Sequence, residues 1–308
     1  MDKKHYYVQN GKLIKAADRA VPKILVGSAD DLELIKDKVT PGSEAHTPGY
    51  ANVWELSPER KWISKVFADE DKKYEEIMAM DFSEITADTK SIGSWAFDNQ
   101  ANLVTAIFPK CEVIGEYAFQ SCPNLQTISF PECREIGSCA FAYDALLSMA
   151  DFPKCESIRE YAFSSCTSMT DAYFQECRII ESSAFRNCRR LVSISFPECT
   201  EIGNNAFAYC SALTALIFPK CEKIGVWALS DCYQVSIAQF PMCKTIGGSA
   251  FWNCTGLTEL YLSSTTMAEC LGNPCLNSTA SIFVPSQLME SYQSASYWSA
   301  YSSQFTAL

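Results

Sequence analysis

Sixteen cysteines and two histidines are the residues of this 308-residue chain best able to do chemistry. Cysteines in such number suggest a disulfide scaffold, a metal centre or a thiolate nucleophile. Their spacing argues against all three. Cys111, Cys133, Cys155, Cys177, Cys199, Cys221 and Cys243 recur at a constant 22-residue step. Cys122, Cys166, Cys188, Cys210, Cys232 and Cys254 keep the same step, offset by half of it, with Asp144 filling the gap. No C-x-x-C pair occurs, and both histidines, His5 and His46, lie outside the array. If the units stack in register, neighbouring cysteines have parallel Cβ vectors about 4.8 Å apart, whereas a bridge needs about 3.8 Å. The two columns are therefore expected to be small buried hydrophobes. Cys139 stands off both columns, and Cys270 and Cys275, at C-x4-C in a divergent last unit, are the pair best placed for a disulfide. No G-x-S-x-G, H-E-x-x-H, P-loop or G-x-G-x-x-G pattern is present, and two histidines leave little scope for a His-based nucleophile or base. The expectation is a chain with no catalytic residue, no cofactor and no metal.

The elements that position these residues follow from the same period. Phe97, Phe119, Phe141, Phe163, Phe185, Phe207 and Phe251 share the 22-residue step, with Leu229 in the place between the last two. So do Ile92, Ile114, Ile136, Ile158, Ile180, Ile202, Ile224 and Ile246. A third column runs Phe108, Phe130, Phe152, Phe174, Phe196, Phe218 and Phe240, mostly followed by proline. The unit reads I-G-x-x-A-F-x-x-C-x-x-L-x-x-I-x-F-P-x-C-x-x. The alternation in Leu125, Ile128 and Phe130 predicts a short strand with its apolar side inward, ended by the following proline. The I-G-x-x-A-F-x-x-C portion has helix-like offsets and predicts a short helix or 3₁₀ turn. No unit can bury its own apolar face, so neighbours must stack. Charge supports this: the columns Lys110, Glu132, Lys154, Glu176, Glu198, Lys220 and Glu112, Arg134, Glu156, Arg178, Thr200, Glu222, Lys244 alternate in sign at most steps, as cross-strand neighbours should.

Stacked strands leave one face to solvent, and repeat proteins commonly bind through such a face. The outward positions give ligand-binding candidates Ile107, Asp151, Asp171, Tyr173, Ile217, Ile237, Glu259 and Tyr261, with Asp151, Asp171 and Tyr173 the most distinctive group. The bland alternative is that these are residues which merely suit a sheet.

Composition narrows the partners. A formal net charge of −11 argues against nucleic acid, and no apolar run reaches the roughly 18 residues of a membrane span. The start, Met1 to Tyr7, has no apolar core, so no secretory signal is expected in this chain. Ile77, Met80 and Phe82 predict a first, atypical strand with a four-residue insertion before Ile92. At the other end Asn273 stands one repeat step after Phe251, where phenylalanine is expected. Ser286 to Tyr301, with Leu288, Tyr292, Tyr297 and Trp298, predicts a terminal amphipathic helix closing the core. Residues 1–72 do not follow the period and are expected to form a small β-rich module or cap, with a hairpin over Ala51 to Leu56 and Lys61 to Phe67; the repeat domain spans 73–308.

L-x-x-I-x-F-x-x-C-x-x-I, as from Leu191 to Ile202, resembles the leucine-rich repeat pattern with cysteine at its Asn/Cys position. The I-G-x-x-A-F element resembles the BspA-like leucine-rich repeat family over about residues 77–308. That resemblance implies an α/β repeat solenoid, a right-handed superhelix with stacked parallel strands on one face and short helices or 3₁₀ turns on the other. It also implies adhesion or interaction with a protein or glycan ligand, display on a cell surface or virion, and no catalytic motif. Residues 40–67 resemble small modules near the start of some phage virion proteins, so a phage structural or receptor-binding role is the alternative.

Overall fold

In the computed structural model of the protein, residues 90–308 other than Ser278 are described, together with the backbone of seven earlier strands, Tyr6–Gln9, Lys12–Lys15, Ile24–Leu25, Glu44–His46, Val53–Leu56, Trp62–Lys65 and Glu84–Thr86. The first six of these strands form one sheet. The expected hairpin is present in it, antiparallel, with Val53 opposite Lys65 and Leu56 opposite Trp62. The expected strand over Ile77 to Phe82 lies outside the described residues. The strand that pairs with Thr105–Ile107 is Glu84–Thr86, with Ile85 opposite Ala106.

From residue 90 the chain coils, and every coil contributes two parallel strands. The three-residue strands expected from the sequence, such as Thr127–Ser129 and Asp171–Tyr173, stack in register at the repeat step. A second set was not expected. Ser91–Ile92, Val113–Ile114 and their equivalents to Glu269–Cys270 form a continuous nine-stranded sheet. The isoleucine column thus lies in strands, each isoleucine buried beside a more exposed neighbour.

The I-G-x-x-A-F-x-x-C segment resolves into turns. Some N–H groups bond three residues back, as Ala140 to Gly137 O (3.2 Å), while Tyr117, Phe119 and Ser121 donate to Ser138, Ala140 and Ala142 of the next coil at 2.7–2.9 Å. Past its first turn a helix would spend its N–H groups internally, along its own axis, and leave them unavailable to the neighbouring coil. The chain escapes the helix by placing a residue in the left-handed region at two points per coil, Tyr117 and Ser121 in this one (both φ 57°). Glycine meets a different need. A Cβ on Gly115 or Gly225 would come within 2.5–2.6 Å of backbone nitrogen in the preceding coil.

Two phenylalanine stacks fill the interior. Phe97, Phe119, Phe141, Phe163, Phe185 and Phe207 follow one another at 5.0–5.2 Å between centroids. The other stack meets it edge to face, as Phe174 meets Phe185 at 5.8 Å. Such pairs add about 0.5–1.5 kcal/mol each beyond the area they bury. Outside the core, the charge columns form the ion pairs expected of in-register coils: Lys154–Glu132, Arg134–Glu156, Lys220–Glu198 and Lys244–Glu222, at 2.6–2.9 Å. All are exposed and worth up to about 1 kcal/mol apiece.

The C-terminal end departs from expectation. Glu269 pairs with Thr245, a step longer by two than the repeat, while Leu260 and Ile282 still pair at the ordinary step. The two extra positions before Glu269 are therefore removed again before Ser281. Pro274, rather than Asn273, takes the inward place: its carbonyl accepts from Phe251 N–H as that of Ala250 accepts from Leu229 N–H. The cap is not one helix. Ser286–Leu288 is 3₁₀, Met289–Ser294 is α-helical, Ala295 is extended, Ser299–Gln304 is 3₁₀ again, and Phe305–Ala307 adds a last parallel strand beside Ser281–Val284. Six positions, from Tyr292 to Trp298, make about one and two-thirds helical turns, so a straight helix would turn Trp298 away from the face that holds Tyr292. Breaking it buries both, leaving Tyr297 exposed. Tyr292 Oη accepts from Ala268 N–H (2.8 Å), and Trp298 Nε1–H donates to Ala268 O (2.7 Å). The cap thereby satisfies backbone groups that another coil would have paired.

Candidate binding surface

The cysteine columns are interior. Every cysteine on them is buried, and all sixteen cysteines are free thiols. The two columns are tied down differently. Cys133 and Cys155 donate to the carbonyl two residues ahead, at 3.3 and 3.2 Å. Cys166, Cys188 and Cys210 each donate at 3.1 Å to the phenylalanine carbonyl of the preceding coil. Burial pushes the thiols up, those of Cys177 and Cys188 to about 12, which disfavours the thiolate form at neutral pH. The disulfide considered for Cys270 and Cys275 is not formed. Cys270 continues the buried isoleucine column opposite Ile246, whereas Cys275 sits half-buried at a left-handed turn position beside Ser249 Oγ (3.6 Å). Among the described residues no group of His, Cys, Asp and Glu is placed to hold a metal ion.

Asp144 interrupts the second column. It is fully buried, its Oδ1 accepts from Cys122 N–H at 2.7 Å, and its Oδ2 has no partner. Burial holds this carboxyl well above the usual range. Asp98, also buried, is raised to about 6 by burial.

The outward strand positions fall into two groups. In the first, register places Met149 beside Asp171 beside Ser193, and Asp151 beside Tyr173 beside Ser195. Tyr173 donates to Asp171 Oδ1 (2.9 Å) and Thr170 to Asp171 Oδ2 (2.6 Å). The Thr170 bond, then that of Tyr173, holds the Asp171 carboxyl below the usual range, and Asp171 in turn pushes the Tyr173 phenol up. This three-strand group stands apart, because the ladder is interrupted on both sides, between Thr127–Ser129 and Met149–Asp151 and between Ser193–Ser195 and Ala215–Ile217. The rings beneath spread at the same steps: Phe130–Phe152 is 5.8 Å and Phe196–Phe218 is 6.0 Å, against 5.2–5.4 Å within the group. The result is a narrow facet carrying carboxylates and a phenol between two seams.

The second group lies four coils on, roughly 19 Å away at 4.8 Å per strand. Tyr261 donates to Glu259 Oε2 (3.0 Å) and stacks on Phe283 at 4.4 Å, with Ile237 beside Glu259 in the ladder. Ile217, 54% exposed, borders this group, whereas Ile107 lies among the first coils and joins neither. The sequence reading missed Thr170 and Phe283. Phe283 carried a signal, standing one repeat step after Tyr261 in the outward register.

The BspA type leucine-rich repeat region matches the chain in six copies, over residues 71–189 and 178–298. None of the curated proteins matches it. Among solved structures, a leucine-rich repeat protein from Bacteroides ovatus is similar at 19% identity and a TM-score of 0.55, covering 80% of this chain and 70% of its own. A leucine rich cell surface protein from Faecalibacterium prausnitzii is similar at 17% identity and a TM-score of 0.50, covering 81% and 74%. At these identities the likeness speaks for the fold.

Proposed function

The chain belongs to the BspA-type leucine-rich repeat family, and from that premise we propose that it is a non-enzymatic binding protein whose strand face takes a protein or glycan ligand. The observation that carries this is the Asp171–Tyr173 facet, isolated between two seams and repeated in kind by Glu259–Tyr261. Each is a carboxylate and a phenol held two residues apart on an open surface. Together they offer hydrogen-bond acceptors, a donor and an aromatic plane at a fixed spacing, as suits hydroxyls or amides of a partner. Display at a cell surface is part of the proposal, supported by the likeness to the Faecalibacterium cell surface protein. The non-enzymatic reading is supported by the burial of the thiols.

The test is an array of glycans and surface proteins probed with the full chain, then with Asp171→Asn/Tyr173→Phe and Glu259→Gln/Tyr261→Phe. Loss of a hit by at least tenfold in either strand-face variant is expected. A hit that survives both variants and disappears only on substitution elsewhere would refute the assignment.

A further inference from the structure

Trp95, Tyr117 and Tyr161 stand in one column on the turn side of the coil, with Cys139 between the last two, and all four hold left-handed backbone (φ 56–64°). That conformation is sterically costly for a bulky side chain; later coils fill the same position with Ser183, Asn205 and Ser249, and with one further aromatic, Trp227, which stands apart from this group. The aromatics are not there for the core, since Trp95 is 45% and Tyr161 is 41% exposed. Strain kept at an exposed position points to a surface in use. Trp95 and Tyr117 lie parallel, 4.0 Å between centroids and 9° between planes, forming one continuous platform.

Beside this column runs a groove of about 420 Å³. Its floor is bare backbone at Gly115 and Gly137, packed too closely against the preceding coil for any side chain. Arg159 closes one end, replacing glycine in that column and bridging Glu135 and Glu181 at 2.9 and 2.8 Å. Glu116 and Glu160 also line it, both exposed, and among the described residues neither is in an ion pair. The lining therefore sets four carboxylates against one guanidinium that is already engaged, in a chain of net charge −11.

We infer that this groove is a second binding site, separate from the strand face, which takes an extended lysine-rich segment of a protein partner. Glu116 and Glu160 are two coils apart, about 10 Å at strand spacing, within reach of two lysines on one extended strand. The methylene stems lie along the Trp95–Tyr117 platform while the ammonium groups meet the carboxylates and ring faces. A polyanion is excluded by charge, and a neutral chain would leave the carboxylates unanswered.

The probe is a tetralysine peptide with blocked termini, titrated calorimetrically into the full chain at low salt and again at about tenfold higher salt, where screening is stronger. Tetralysine is expected to bind at low salt and to weaken at least tenfold at high salt. Trp95→Ala, and separately Glu116→Gln/Glu160→Gln, each reduce affinity at least fivefold. Asp171→Asn/Tyr173→Phe leaves it unchanged, so this site and the strand face succeed or fail independently. All substituted side chains are at least partly exposed, and an unaltered melting curve verifies folding. The assignment is overturned by an absence of binding, by affinity unchanged in both groove variants, by equal binding of the lysine-acetylated peptide, or by a neutral oligosaccharide occupying the groove instead.

Discussion

Replacing Asp144 with asparagine should remove a pH dependence from the stability of the repeat array. Asp144 occupies a position where the flanking coils place Cys122 and Cys166, buried in a column whose thiols donate to phenylalanine carbonyls one coil back. An ionised carboxylate there would have one hydrogen bond and no cation, a burial that costs several kcal/mol. The nearby Asp98 carboxylate adds to the same upward shift. The folded chain thus keeps a proton that the unfolded chain releases above about pH 4. With more protons bound when folded, the free energy of unfolding falls as pH rises, by up to about 1.4 kcal/mol per pH unit. The fall begins at the unfolded carboxyl's pKa and ends where the folded carboxyl ionises. Asp144→Asn keeps the shape without the titration, so its stability should decline less steeply over the window in which the wild type declines, the Asp98 slope alone remaining. Asp144→Cys restores the thiol, which can donate to the Phe119 carbonyl, and should gain about 1–3 kcal/mol at neutral pH by removing an unsatisfied buried oxygen. Urea unfolding of the three proteins at half-unit steps from pH 4.5 to 7.5 measures this. The wild-type-minus-Asn difference is the quantity to use, because Asp98, raised to about 6, contributes a slope of the same sign to both. A difference independent of pH would show that Asp144 is ionised in the folded chain and would refute the reasoning.

Thiol labelling separates interior from surface: at mildly alkaline pH Cys139 and Cys275, the two half-buried thiols, should react with Ellman's reagent in the folded protein, and the other fourteen only after unfolding in urea. A larger native count, or a mass deficit indicating a disulfide, would contradict the thiol columns. Trp298→Ala removes a ring only 1% exposed and its bond to Ala268, at a cost of about 3–5 kcal/mol. Because coils touch only their neighbours, amide exchange should accelerate in the last coils near Glu259–Tyr261 while Asp171–Tyr173 keeps its protection. Equal loss along the whole array would count against the cap's local role.

How far the chain could be read in advance depends on which residues repeat. Phenylalanine, isoleucine and cysteine recur at one constant step because equivalent positions in stacked coils see equivalent surroundings, so period and burial are one fact, legible without coordinates. The strand faces followed by alternation, and with them the outward positions of Asp171, Tyr173, Glu259 and Tyr261. Three things depended on contacts between coils. The turn segment looks helical along the sequence, but its N–H groups are drawn to the next coil, and only that pairing makes it a turn. The cap reads as one helix, but it breaks so that Tyr292 and Trp298 both reach Ala268. The strand face reads as uniform, but the seams that set Asp171 and Tyr173 apart lie in the pairing of one coil with the next, which no single repeat contains. Local side-chain chemistry fixes what each coil buries; the fit of one coil upon the next decides where the stacked surface opens.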